Sequence, residues 1–118
     1  MSRRRTMTSP RHALLSTFAL GALLALPALA QEPDFAAPGR KLFVEGVPGQ
    51  VNCALCHTLE HAGATGGVGP NLNDLRPDAA VVEKAMRDGI GPMPATTWLS
   101  DEQMKLLARY VEWAAKPR

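Results

Sequence analysis

The chain has only two cysteines, one tyrosine and three histidines, and aromatic residues make up just 5% of its 118 positions. It shows no convincing strand pattern, no internal repeat and no βαβ alternation. A thioredoxin-like architecture expects that alternation, and its absence counts against one. A genuine excess of positive charge is also missing. The formal net charge is +2, but Arg3, Arg4, Arg5 and Arg11 supply four of the 13 Lys and Arg, and none of the 11 Asp and Glu precedes residue 31. Beyond residue 30, nine basic residues face eleven acidic ones, a balance of −2. The basicity therefore belongs to the first segment, and nothing points to nucleic acid. Nor is there a long hydrophobic run. Ala13–Leu26 is apolar apart from Ser16, Thr17 and Gly21, short of the roughly 20 residues a membrane helix needs.

That first segment has a different meaning. A basic start, an apolar middle and Pro27-Ala28-Leu29-Ala30, with small residues at −3 and −1, form a secretory signal peptide with cleavage expected after Ala30. An uncleaved membrane anchor is the alternative, opposed by the short run and the good cleavage site. Ser2-Arg3-Arg4 is a weak twin-arginine signature. The expected division is a signal peptide over 1–30, a flexible lead-in over 31–37 and one folded domain over 38–118. The product would be periplasmic, with no permanent membrane span. The 88 residues left after cleavage make a small domain, of a size that often needs a staple because surface outgrows core.

The helical signals are local. Pro38–Glu45 reads as a first helix, with Pro38 in its first turn and Gly46 at its end. Gly63, Gly66, Gly67, Gly69 and Pro70 crowd eight positions, predicting an irregular loop that wraps something. Asn71–Leu75 leads toward a second helix starting near Pro77 or Asp78, with an apolar stripe of Val81, Val82, Ala85 and Met86 and a cap at Gly89. Ser100 and Gln103 form a capping box for the last helix, and Leu99 and Met104 can staple it. Met104, Leu107, Val111 and Ala114 repeat at helical spacing, widened by Leu106, Tyr110 and Trp113. The predicted fold is all-α, with three main helices.

Cys53-Ala54-Leu55-Cys56-His57 carries the chemistry. Two cysteines three apart with a histidine directly after them form the attachment pattern of haem c. Thiols at i and i+3 can reach the two vinyl groups on one edge of a haem and form thioethers. The next side chain then lies under the ring, where imidazole can bind iron. Covalent attachment also supplies the staple, and export of an unfolded chain suits a group attached outside the cytoplasm. One haem c, bound through Cys53 and Cys56 with His57 as ligand, is therefore expected.

A second axial ligand must come from further along. Met86 and Met104 lie on apolar helix faces and read as core. Met93 lies between Pro92 and Pro94, outside any helix, where a thioether gains little as filler but is held in place. It is the expected sixth ligand, because Met/His ligation suits haem c. His61, one helical turn after His57, projects to the same side and reads as a surface residue. The ligand histidine needs its other nitrogen held, and the Pro70 carbonyl in Gly69-Pro70-Asn71 is the expected acceptor. Trp98 or Arg76 could face the haem propionates.

These residues resemble the class I c-type cytochromes over nearly all of the sequence after the signal. The match runs through Gly39 and Phe43, Cys53-x-x-Cys56-His57, Gly69-Pro70-Asn71-Leu72, Met93-Pro94 and Leu107-x-x-Tyr110. The resemblance implies a cytochrome c fold whose first and last helices cross with Gly39 at the contact, a Pro70 carbonyl bonded to the haem histidine, and Met93 as sixth ligand. About three dozen residues separate His57 from Met93, fewer than in many members, which implies a pared-down version. The run from Cys56 to Leu72, with the later Gly-Ile-Gly-Pro-Met-Pro, is also similar to the haem subunits and acceptor cytochromes of periplasmic sulfite dehydrogenases.

With both axial positions filled, the expected activity is outer-sphere electron transfer rather than catalysis on a substrate. The partners are a dehydrogenase as donor and a terminal oxidase or another cytochrome as acceptor, docking on apolar surface around Ala54, Leu55, Ala62–Thr65 and Pro92–Ala95. The alternative is a haem enzyme or gas-binding protein with a labile Met93. A thiol redox pair at Cys53 and Cys56 and a zinc site from Cys53, Cys56, His57 and His61 are further rivals.

Overall fold

The computed structural model describes residues 31–117; the predicted signal peptide lies outside them. Four helices follow in order: α1 (Ala36–Glu45), α2 (Leu72–Leu75), α3 (Ala79–Asp88) and α4 (Asp101–Ala114). The fold is all-α in its main elements, as the patterning predicts.

Helix α1 starts two residues before Pro38. Pro38 then occupies the third helical position, where its missing N–H costs nothing, since first-turn amides have no carbonyl within the helix. Gly46, at φ 67°, closes the helix through its amide on Leu42 O. Asn71–Leu75 is not a lead-in to the next helix but a separate turn, α2. The Asn71 side chain caps it by accepting from Asn73 N at 3.0 Å, and Arg76, left-handed at φ 47°, ends it. The right-handed helical region is disfavoured before Pro77, so the helix cannot run through. Helix α3 ends at Gly89, φ 73°. Helix α4 has the full capping box: Gln103 N donates to Ser100 Oγ at 3.2 Å, and Ser100 N donates to Gln103 Oε1 at 2.9 Å. Such caps contribute about 1 kcal/mol.

Helix α4 is the spine, with α1 and α3 both packed against it. It buries Met104, Leu107, Ala108, Tyr110, Val111 and Ala114. Gly39 of α1 lies against Tyr110 so closely that a Cβ there would be 2.5 Å from Tyr110 Cβ. One turn on, Phe43 meets the Tyr110 ring edge-on, with centroids 6.1 Å apart. Helix α3 faces the core with Ala79, Val82 and Met86, the i, i+3, i+7 series. Val81, expected in that stripe, is 55% exposed, because it sits one residue round the helix from Val82.

Two other expectations are corrected. The predicted lead-in is tied to the domain. The Phe35 ring meets Trp113 edge-on at 6.0 Å and lies 4.4 Å under the Arg109 guanidinium, and Ala36 is fully buried. The folded unit thus starts before residue 38. The glycine-rich region is not wholly irregular either. Two short strands, β1 (Thr58–Leu59) and β2 (Ala64–Thr65), pair antiparallel with Thr58 opposite Thr65. Gly63, left-handed at φ 66°, reverses the chain between them. Two residues per strand are too few to register as alternation. Among the described residues, no helix is long and apolar enough to cross a membrane.

Candidate functional site

The Cys53–His57 segment is a helical turn. Cys53–Leu55 is 3₁₀, Asn52 Oδ1 caps it by accepting from Leu55 N at 3.1 Å, and both Cys56 N and His57 N donate to Cys53 O, at 3.2 and 3.0 Å. Positions i and i+3 lie on one side of such a turn, which is the arrangement two thioethers need. Asn52 is itself held: a Cβ on Gly46 would come within 2.8 Å of its Cβ. Sequence reasoning missed this cap, although an asparagine just before a short turn is a usable signal.

The loop that the glycine cluster predicts wraps the motif itself. Gly69 N donates to Cys56 O at 2.7 Å, and Thr58 Oγ1 donates to Gly66 O at 3.0 Å. A Cβ on Gly66 would lie 2.6–2.7 Å from backbone atoms of Cys56, Ala54 and His57, and one on Gly69 would lie 2.6 Å from His57 Cε1. Glycine is required at both places by close approach rather than by unusual φ. The next residue completes the hold: His57 Nδ1 donates to Pro70 O at 2.8 Å. A carbonyl only accepts, so the proton sits on Nδ1 and the Nε2 lone pair is left available.

Met93 lies half-buried against the core in a closed turn. Ile90 and Met93 exchange backbone bonds, Met93 N to Ile90 O at 2.9 Å and Ile90 N to Met93 O at 3.1 Å, around Gly91 and Pro92. Cys53 rests against the same core. Met86 and Met104 are core residues, 3% and 7% exposed, as expected.

These features fit a haem. Leu72, Met86, Leu99 and Met104 provide an apolar core, and Cys53, Met93 and Trp98 pack on it. Among the described residues, no buried polar side chain lacks a partner. The rival chemistries fit poorly. Burial pushes the Cys53 thiol up to about 11, the opposite of the activation a redox thiol needs. His61 cannot join a zinc site with the cysteines, because both its nitrogens are committed.

His61 is a correction to the surface role expected for it. Its side chain is 13% exposed. Nε2 donates to Glu32 Oε1 at 2.8 Å, Nδ1 bonds the Tyr110 hydroxyl at 2.9 Å, and the ring stacks edge-on to Trp113 at 4.5 Å. It clasps the entry segment and the turn after the motif onto α4. His61→Leu removes both bonds and is expected to destabilise the protein by about 1–3 kcal/mol. The urea unfolding midpoint checks this, and an unchanged midpoint means that the clasp contributes nothing.

The expected docking surface is only partly present. Leu55 is 62% exposed, but Ala62 and Ala64 are buried at 4% and 6%, because the β1–β2 hairpin turns them inward. Val51, Val68 and Ile90 are exposed instead. Of the two propionate candidates, Trp98 is half-buried, whereas Arg76 is exposed with Nε donating to Asn73 O at 3.2 Å. A surface cleft of about 570 Å³ beside Glu60, His61, Asn73 and the end of α4 includes none of Cys53, Cys56, His57 or Met93.

Residues 35–111 match the family described as cytochrome c oxidase, cbb3-type, subunit III. The chain is also similar to a solved structure, the c-type cytochrome SorU from Sinorhizobium meliloti. The identity is 48% over 74% of this chain and all of that one, with a TM-score of 0.65. No curated protein matches the chain.

Proposed function

The chain belongs to the class I c-type cytochromes, electron-transfer proteins with covalently bound haem c, and on that premise we propose that it carries single electrons at one haem c. Cys53 and Cys56 would hold the haem by thioethers, and His57 Nε2 and Met93 Sδ would ligate its iron. The observation that carries this reading is the His57 Nδ1–Pro70 O bond. It fixes the tautomer in which Nε2 can ligate, and with it the orientation of the ring.

Bound haem c supplies a one-electron ferric–ferrous couple. The chain's residues set the terms. Pro70 holds the imidazole proton and ring orientation. The glycine loop presses on the motif and limits its movement. The apolar core excludes water and so disfavours the more highly charged ferric state, while a soft thioether favours the ferrous one. With His57 and Met93 both given to the iron, the chain would leave no position for a substrate, and its packed core would keep reorganisation on electron transfer small.

The working place proposed is the periplasm, after cleavage behind Ala30. The partners are a dehydrogenase donor and a terminal oxidase or another cytochrome as acceptor. Similarity to haem subunits and acceptors of sulfite dehydrogenases makes such an enzyme the first donor to test, with this chain as free carrier or bound subunit.

The central test is covalent attachment. Haem should stay with the denatured polypeptide through extraction by acidified organic solvent, and colour leaving with the solvent overturns the reading. Cys53→Ser combined with Cys56→Ser is expected to yield an exported chain without covalent haem and largely unfolded by circular dichroism. A cooperatively folded double variant contradicts the stapling role. Rapid carbon monoxide uptake by the native ferrous protein instead supports a gas-binding site with a labile Met93.

A further inference from the structure

The loop carrying Met93 is anchored by a residue that no part of the attachment pattern contains. Helix α3 ends with Gly89 N on Ala85 O. Another helical step would place Ile90 N on Met86 O, but that amide is turned away to Met93 O. Helix ends leave such carbonyls without intrahelical partners. Met86 O is filled from the far side of the loop, by Thr96 N at 2.7 Å and Thr96 Oγ1 at 3.1 Å. One residue thus saturates the carbonyl with two donors. Thr96 O in turn accepts from Leu99 N at 3.1 Å, directly before the Ser100 cap of α4.

Thr96 therefore ties three things together: the end of α3, the return limb of the Met93 loop and the start of α4. Inside that closure the loop is tight. Gly89, at φ 73°, packs so closely that a Cβ would lie 2.8 Å from Met93 O. Pro92 and Pro94 fix their own φ and lack amide hydrogens, so they stiffen the loop but donate nothing to hold it. The hydroxyl of Thr96 is the side-chain donor that closes it onto α3.

We propose that Thr96 is the positioning residue that keeps Met93 in place for ligation, by locking the loop's exit limb to the Met86 carbonyl. The proposal rests on the reading of Met93 as sixth ligand. It assigns to Thr96 the resistance of that ligand to displacement, not any contact with the haem.

The test uses the haem-loaded protein with cyanide as competing ligand. Thr96→Val keeps the side chain's shape and both backbone bonds and removes only the hydroxyl donor. It is expected to speed cyanide uptake by the ferric form about five-fold, the share of one neutral hydrogen bond, and to weaken the far-red absorption band of Met–iron ligation. Thr96→Ser should restore both. An unchanged cyanide rate in Thr96→Val, even with a lowered guanidinium midpoint, overturns the proposal, because the residue is then structural only. Equal acceleration in Thr96→Ser also overturns it, because the hydroxyl is then not the cause. Met93→Ala separates the two readings. If the far-red band survives in it, the ligand assignment fails and this proposal with it. If the band is lost while Thr96→Val takes up cyanide at the parental rate, the role of Thr96 fails alone.

Discussion

Met93→Ala is expected to leave the haem attached and the chain folded, with the iron's sixth position open to water or added ligands and a reduction potential lower by a few tenths of a volt. Axial ligands tune haem potentials over roughly 0.8 V, and exchange of a soft thioether for water moves the couple toward the ferric state. The fold should survive, because Met93 is only half-buried and its turn is closed by backbone bonds with Ile90 rather than by its side chain. Two measurements check this: a potentiometric titration, and carbon monoxide binding by the ferrous form, which should become fast. A potential within about 0.05 V of the parent, small against that span, would remove Met93 from the iron.

The largest effect on stability is expected at Gly39. A Cβ there would lie 2.5 Å from Tyr110 Cβ and 2.7 Å from Tyr110 Cγ. Neither atom can give way cheaply, since Tyr110 is fully buried and its hydroxyl is held by His61. Gly39→Val must push α1 off α4, disturbing Phe43 and the clasp together. Overpacking of a core costs about 1–3 kcal/mol and occasionally more, and here about 3 kcal/mol or above is expected. At roughly 4–8 °C per kcal/mol for a domain of this size, the melting temperature falls by more than about 10 °C. Gly39→Ala should be milder, since relief of glycine's backbone entropy in mid-helix offsets up to about 1 kcal/mol. A valine variant that melts with the parent would show that the helices do not touch there in solution.

The legible part of this molecule is the part written in neighbouring residues. The Ser100–Gln103 box, the Gly46 and Gly89 stops and the apolar period of α4 each depend on positions within a turn or two, and each stands where the sequence predicts it. The Cys53–Cys56 spacing is legible for the same reason. What is not legible involves contacts made at a distance. His61 looks like a surface residue because nothing near it in sequence needs an imidazole; its partners Tyr110 and Glu32 lie 49 and 29 positions away. Phe35 looks like lead-in because the side chains it packs against, Arg109 and Trp113, belong to α4. Ala62 and Ala64 look like docking surface until two pairs of residues close a hairpin and turn them inward. Pro70 is an instructive intermediate. A carbonyl in a tight loop could be guessed as acceptor, yet its 2.8 Å approach to His57 depends on Gly66 and Gly69 lying against the motif.

Local order was thus settled by the sequence alone: where helices start and stop, which face is apolar, and which two sulfurs share a side. Dihedral preference, capping and periodicity act over a few residues and survive in any context. The tertiary structure decided the orientation of His57, the clasp at His61 and the anchoring of Met86 O by Thr96. Those depend on which backbone groups remain without partners once the helices have formed, and on which surfaces then meet to satisfy them.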